Sequence, residues 1–131
     1  MKVTRIDRTQ ASHDQARASY FVGGVRTQSL VSSPESNDLD LLNVYFDAGA
    51  RTIPHIHLQD QVLHILEGQG IVATETERRV VSAGDVIIIP AGTWHWHGAT
   101  RHTAMAHISV MKRGQTNWVV EEKNWSSGYD E

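Results

Sequence analysis

Short runs of β-branched and aromatic residues recur along this chain with the period of a strand rather than a helix. Residues 20–31, 41–46, 53–58, 61–67, 70–75, 79–82, 86–89, 95–97, 103–111 and 117–121 are such runs, parted by Gly, Pro, Ser, Asn or Asp. Many short strands at this spacing predict an all-β sandwich or barrel. Turn chemistry marks the same boundaries, at Ala48-Gly49, Glu67-Gly68, Ala83-Gly84-Asp85 and Pro90-Ala91-Gly92. Residues 32–38 read as a loop, 1–19 as an N-terminal arm and 122–131 as a tail. No internal repeat or low-complexity tract is visible.

Alternation assigns faces to the strands. In 41–46, Leu42, Val44 and Phe46 are the more apolar set and turn inward, leaving Leu41, Asn43 and Tyr45 outside. In 61–67, an inward Gln61 brings Leu63 and Ile65 with it and sends Val62, His64 and Leu66 out. Inward His95 and His97 put Trp94 and Trp96 on the outer face. The outer set is then apolar too, so both faces need cover, from the chain's own arms or from a second subunit. Exposed tryptophans favour the second subunit, and a homodimer is the expectation. Trp94 and Trp96 accordingly read as interface or packing residues, while Trp118 and Trp125 carry no signal.

Composition narrows the chemistry. At 131 residues the chain is long enough for one core. Cysteine is absent, so a metal site must draw on nitrogen and oxygen donors. The formal net charge of -3, with both signs scattered, gives no footprint for nucleic acid or an anionic membrane. Neither a signal-peptide-like start nor a membrane-length apolar run appears, and a cytoplasmic location is expected.

Five of the eight histidines fall in two motifs. The first, GARTIPHIHLQDQVLHILEG, runs from Gly49 to Gly68 and holds His55, His57 and Gln61. The second, GDVIIIPAGTWHWHG, runs from Gly84 to Gly98 and holds Pro90, Gly92, His95 and His97. Histidines two apart on a strand project to one face, so two such pairs can converge on one ion.

These two motifs, with their glycines and proline in order, resemble those of the cupin family. Gln61 stands where most members have Glu, and Ala99 where Asn is usual. Together with HWHGA (95–99) and TAM-x-H (103–107), the pattern is similar to that of the bacterial cupin hydroxynitrile lyases. The resemblance implies a double-stranded β-helix (jelly-roll) barrel, a single cupin domain over 1–131 with its motif core at 49–98. It implies one divalent transition metal per chain, manganese first and Fe, Ni, Zn or Co as alternatives, on His55, His57, Gln61 and His95. It also implies a substrate pocket lined by His97 and His107 with Leu42, Val44, Phe46, Thr52 and Leu63.

A neutral Gln61 leaves both charges on a divalent ion, where Glu would leave one. That makes a stronger Lewis acid and disfavours oxidation, tilting the reading toward redox-neutral chemistry. His97, one pair along from His95, is either a general base or a hydrogen-bond partner of the metal site. The parity of His107 is not fixed by its strand: it is either the second catalytic acid–base residue beside His97 or a satisfied core histidine. His64, His13 and His102 are given no chemistry. The expected function is a metal-dependent, lyase-type enzyme on a small organic molecule. An iron-dependent dioxygenase and a non-catalytic metal- or metabolite-binding cupin are the alternatives.

Overall fold

The computed structural model describes residues 1–118 of the chain. Eleven strands follow in order: β1 (Phe21–Val22), β2 (Val25–Val31), β3 (Leu39–Phe46), β4 (Arg51–Thr52), β5 (Ile56–His57), β6 (Gln61–Thr74), β7 (Arg78–Ser82), β8 (Val86–Ile89), β9 (His95–Ala99), β10 (Met105–Lys112) and β11 (Thr116–Asn117). Among the described residues, helix is confined to two 3-10 turns near the N-terminus, Arg8–Gln10 and Gln15–Tyr20. The tail 122–131 and most of the expected strand 117–121 lie outside the described residues.

Two antiparallel ladders share β6. Its first half lies in the order β2-β3-β10-β6-β8. Its second half lies in the order β1-β4-β9-β6-β7. The result is a jelly-roll barrel in which one 14-residue strand turns the corner between sheets. The expected turn at Glu67-Gly68 is therefore a strand corner instead. Leu66 is skipped in the pairing with β10, so a bulge bends the strand there. Gly68 takes φ +73°, and a Cβ on it would meet the Ala104 carbonyl oxygen at 1.8 Å. No L side chain fits that position, which is why the turn signal was real although the chain does not reverse.

The run 20–31 also divides. Gly23, at φ +85°, ends β1, which pairs with β4 in one sheet, and β2 then starts the edge of the other.

Leu63, Ile65, Val44 and Phe46, turned inward by alternation, lie in the buried cluster together with Val72 and Ile89. The outer face is covered partly by the arm. Gln28 receives a hydrogen bond from the Asp7 amide and donates one to the Arg5 carbonyl, while Ser12 and Thr27 exchange backbone bonds. Arg8 lies over the Tyr45 ring at 4.7 Å, so outward Tyr45 is buried by the chain itself. Trp96 is likewise 1% exposed, packed with Ile71 and Ala73 beneath Arg51. The expectation of an exposed Trp96 is corrected: the strand neighbours and the Arg51 stem leave its ring no outer surface.

Candidate metal centre and catalytic pocket

His55 and His95 face each other across an antiparallel bridge, each amide donating to the other's carbonyl at 2.9 and 3.0 Å. Directly opposed residues on one face bring their side chains together, and the two ring centroids are 4.3 Å apart. His57, two residues on, lies 4.9 Å from His55 and 5.2 Å from His95. His97 lies 5.5 Å from His55 and 5.8 Å from His95. Gln61, at the start of β6, places Oε1 3.0 Å from His95 Nε2. The two predicted pairs of histidines and Gln61 thus do meet at one point. Gly98 permits the approach of β4 to β9, since a Cβ there would strike the Ala50 carbonyl oxygen at 2.4 Å.

The ring nitrogens are sorted by what they touch. Carbonyl oxygens can only accept, so His55 Nδ1–H donates to Ile53 O and His95 Nδ1–H donates to Thr93 O, each at 2.8 Å. Their Nε2 atoms are left as bare lone pairs turned into the cluster. His57 Nδ1 meets the Thr116 hydroxyl at 2.7 Å, and its Nε2 is buried with no protein partner. His97 Nδ1 meets His107 Nε2 at 3.0 Å, and His97 Nε2 is again buried without a protein partner. One ring nitrogen each from His55, His95 and His97 falls within 4.8 Å of the others, close enough to share an ion. A set of soft-to-borderline nitrogens and an amide oxygen, several of them otherwise unsatisfied, fits a divalent transition ion.

Burial holds these imidazoles neutral. His57, His95 and His107 have their pKa pushed down to about 4, chiefly by loss of hydration. Burial pushes His55 and His97 well below the ordinary value too, and the neighbouring imidazoles add to it. Neutral rings are what metal ligation and proton acceptance both require.

A cavity of about 860 Å³ opens onto the cluster, lined in part by Leu42, Val44, Phe46, Thr52, Gln61 and His107. Leu63, expected on its wall, is fully buried among its core neighbours and does not line it. His107, whose parity the strand pattern left open, points inward: it is fully buried, packed at 5.3 Å against Phe46. Thr52 Oγ1 accepts the His97 amide hydrogen at 3.2 Å.

Four site residues gave no sequence signal or were passed over. Trp118 stacks between His55 at 4.1 Å and Tyr20 at 4.2 Å, and all three line the cavity. Thr116 and Ser109 hold His57 and Gln61. Ser109 shares a face with His107 by strand parity and was legible once His107 was placed; Tyr20, Thr116 and Trp118 reach the site through pairing that no local pattern encodes. His13, given no chemistry, is among the residues lining the cavity.

Comparison with known proteins agrees with this geometry. The profile of the cupin domain matches residues 42–111. The chain is 34% identical over 114 residues to an (R)-mandelonitrile lyase from Granulicella tundricola, covering 86% of each. It is 28% identical over 95 residues to an acireductone dioxygenase from Sulfurihydrogenibium sp., covering 70% of this chain and 50% of that one. Among solved structures, a cupin-like protein from Thermotoga maritima superposes with TM-score 0.76 at 29% identity, covering 84% of this chain and 88% of the other.

Proposed function

Because this chain belongs to the cupin family, we propose that it is a metal-dependent enzyme performing redox-neutral, lyase-type cleavage of a small, largely apolar hydroxy compound, cyanohydrins being the first candidates. The observation that carries this reading is the His97–His107 pair: two buried neutral imidazoles 3.0 Å apart, against Phe46 and beside the donor cluster. His55, His57, Gln61 and His95 are the assigned holders of one divalent ion, manganese first. Bound there, it supplies a Lewis acid for the substrate oxygen, strengthened because Gln61 brings no negative charge.

The chain's own residues do the rest. His97 Nε2 takes the substrate hydroxyl proton, while His97 Nδ1–H is held by His107 Nε2, so the positive charge spreads over two rings. The C–O bond becomes C=O as the bond to the nitrile carbon breaks with its electron pair, and the proton on the histidine pair passes to the departing cyanide. Leu42, Val44 and Phe46 seat the apolar body and exclude water, and Thr52 fixes the backbone of His97.

The test is anaerobic turnover of an aromatic cyanohydrin by manganese-loaded protein, followed by aldehyde absorbance. Activity should persist without oxygen and fall about 10²–10⁴-fold in His97→Ala, with one equivalent of metal retained. A second reading, an iron-dependent dioxygenase, is favoured by the close grouping of His55, His95 and His97, since three imidazoles with open positions also suit oxygen. Substrate-dependent oxygen uptake, and loss of metal in His97→Ala, would select it. Ligand-dependent thermal shifts without turnover would leave a binding module.

A further inference from the structure

An amide and an imidazole can each turn the wrong atom toward a cation. Rotating the Gln61 amide by half a turn replaces a lone pair with two N–H groups, and a neutral His57 has two tautomers. Nothing inside the donor cluster holds either group in place, but each has a hydroxyl partner outside it. Ser109 Oγ, buried on β10, lies 2.8 Å from Gln61 Nε2. Accepting that N–H leaves Gln61 Oε1 facing His95 Nε2 at 3.0 Å. His95 Nδ1 carries its proton to Thr93 O, so these are two lone pairs face to face. They repel unless a cation lies between them. Thr116 Oγ1, from the last described strand, lies 2.7 Å from His57 Nδ1, and His57 Nε2 has no protein partner.

We propose that Ser109 and Thr116 are the positioning residues of the metal centre: Ser109, accepting from Gln61 Nε2, holds the amide oxygen toward the donor cluster, and Thr116, hydrogen-bonded to His57 Nδ1, holds that ring with its Nε2 turned toward the other donors. The inference rests on the donor set proposed above.

Manganese(II) affinity, read by electron paramagnetic resonance of the free ion without substrate, tests this on the full chain. Thr116→Val and Ser109→Ala should each weaken binding about 10–100-fold, and Thr116→Ser should restore it to within about twofold. In a Gln61→Glu background the two carboxylate oxygens are equivalent, so Ser109→Ala should then cost no more than about twofold. Apo thermal midpoints identify any variant that fails to fold. Parent-like affinity in both Thr116→Val and Ser109→Ala overturns the proposal. So do an unrescued Thr116→Ser and a Ser109→Ala penalty that is undiminished in the Gln61→Glu background. A parent that binds no manganese overturns the donor set itself, and that result needs no variant.

Discussion

His55, His57, His95, His97 and His107 enter the folded chain as neutral side chains because burial strips the water that would support their charge. In the unfolded chain they protonate near the ordinary value of 6.5, whereas in the folded one His57, His95 and His107 do so only near pH 4. The unfolded state therefore binds more protons between those values, and stability present above pH 6.5 is lost as the pH falls toward 4. The slope is about 1.4 kcal/mol per pH unit for each such histidine. Apo protein should show its thermal midpoint falling steeply over that interval, and His107→Gln should flatten the fall; an unchanged midpoint from about pH 7 to about pH 4.5 would contradict the burial argument. Added manganese should raise the midpoint most near pH 7 and progressively less below about pH 6, since protons compete for the same nitrogens.

At the scale of elements, β6 is the part on which the site depends. Gln61 begins it, the bulge at Leu66 and Gly68 bend it, and its second half carries the ladder to His95 and His97 on β9. Gly68→Ala would force an L side chain to φ +73° against the Ala104 carbonyl, at about 2–4 kcal/mol. A thermal midpoint lowered by roughly 10 °C is the expected reading. The same substitution at Gly92, also at positive φ but with nothing within 4 Å of the added carbon, should cost less, about 1–2 kcal/mol. The contrast between the two isolates the close approach from the backbone conformation.

At the scale of the whole molecule, cover for the outer faces is divided. The arm and Arg51 bury Tyr45 and Trp96, which removes Trp96 from the case for a second subunit. Another surface takes its place. Pairing sets Ile88, Val62, Val110 and Leu41 in one outward row, and Val86, His64 and Ile108 in the next. Ile88 and Val86 are 58% and 65% exposed on the edge strand β8. A second copy packed on these rows is the expected cover, so light scattering should give twice the chain mass, and Val86→Asp/Ile88→Asp the single mass. A monomeric parent would leave the face to another partner. Among the described residues no helix is long and apolar enough to cross a membrane.

The local code of the chain was enough for the barrel and for most of the candidate centre. Period-two alternation, glycines at special backbone positions and two histidine pairs in fixed spacing are short-range properties. They determined the all-β class, the cupin resemblance, the inward Leu42, Val44, Phe46 and Gln61, and the convergence of His55, His57, His95 and His97. Decisions that rest on long-range pairing were settled by tertiary structure alone. A glycine beside a turn-forming neighbour reads alike at a reversal and at a strand corner, so the continuity of β6 through Gly68 needed its partners β10 and β9. Equal hydrophobicity on both sides of His107 hid its direction until β3 and β6 flanked it. Thr116 stands 59 positions from the histidine it touches and Trp118 is as remote from its own. Only chain closure brings a hydroxyl to His57 and an indole face to His55.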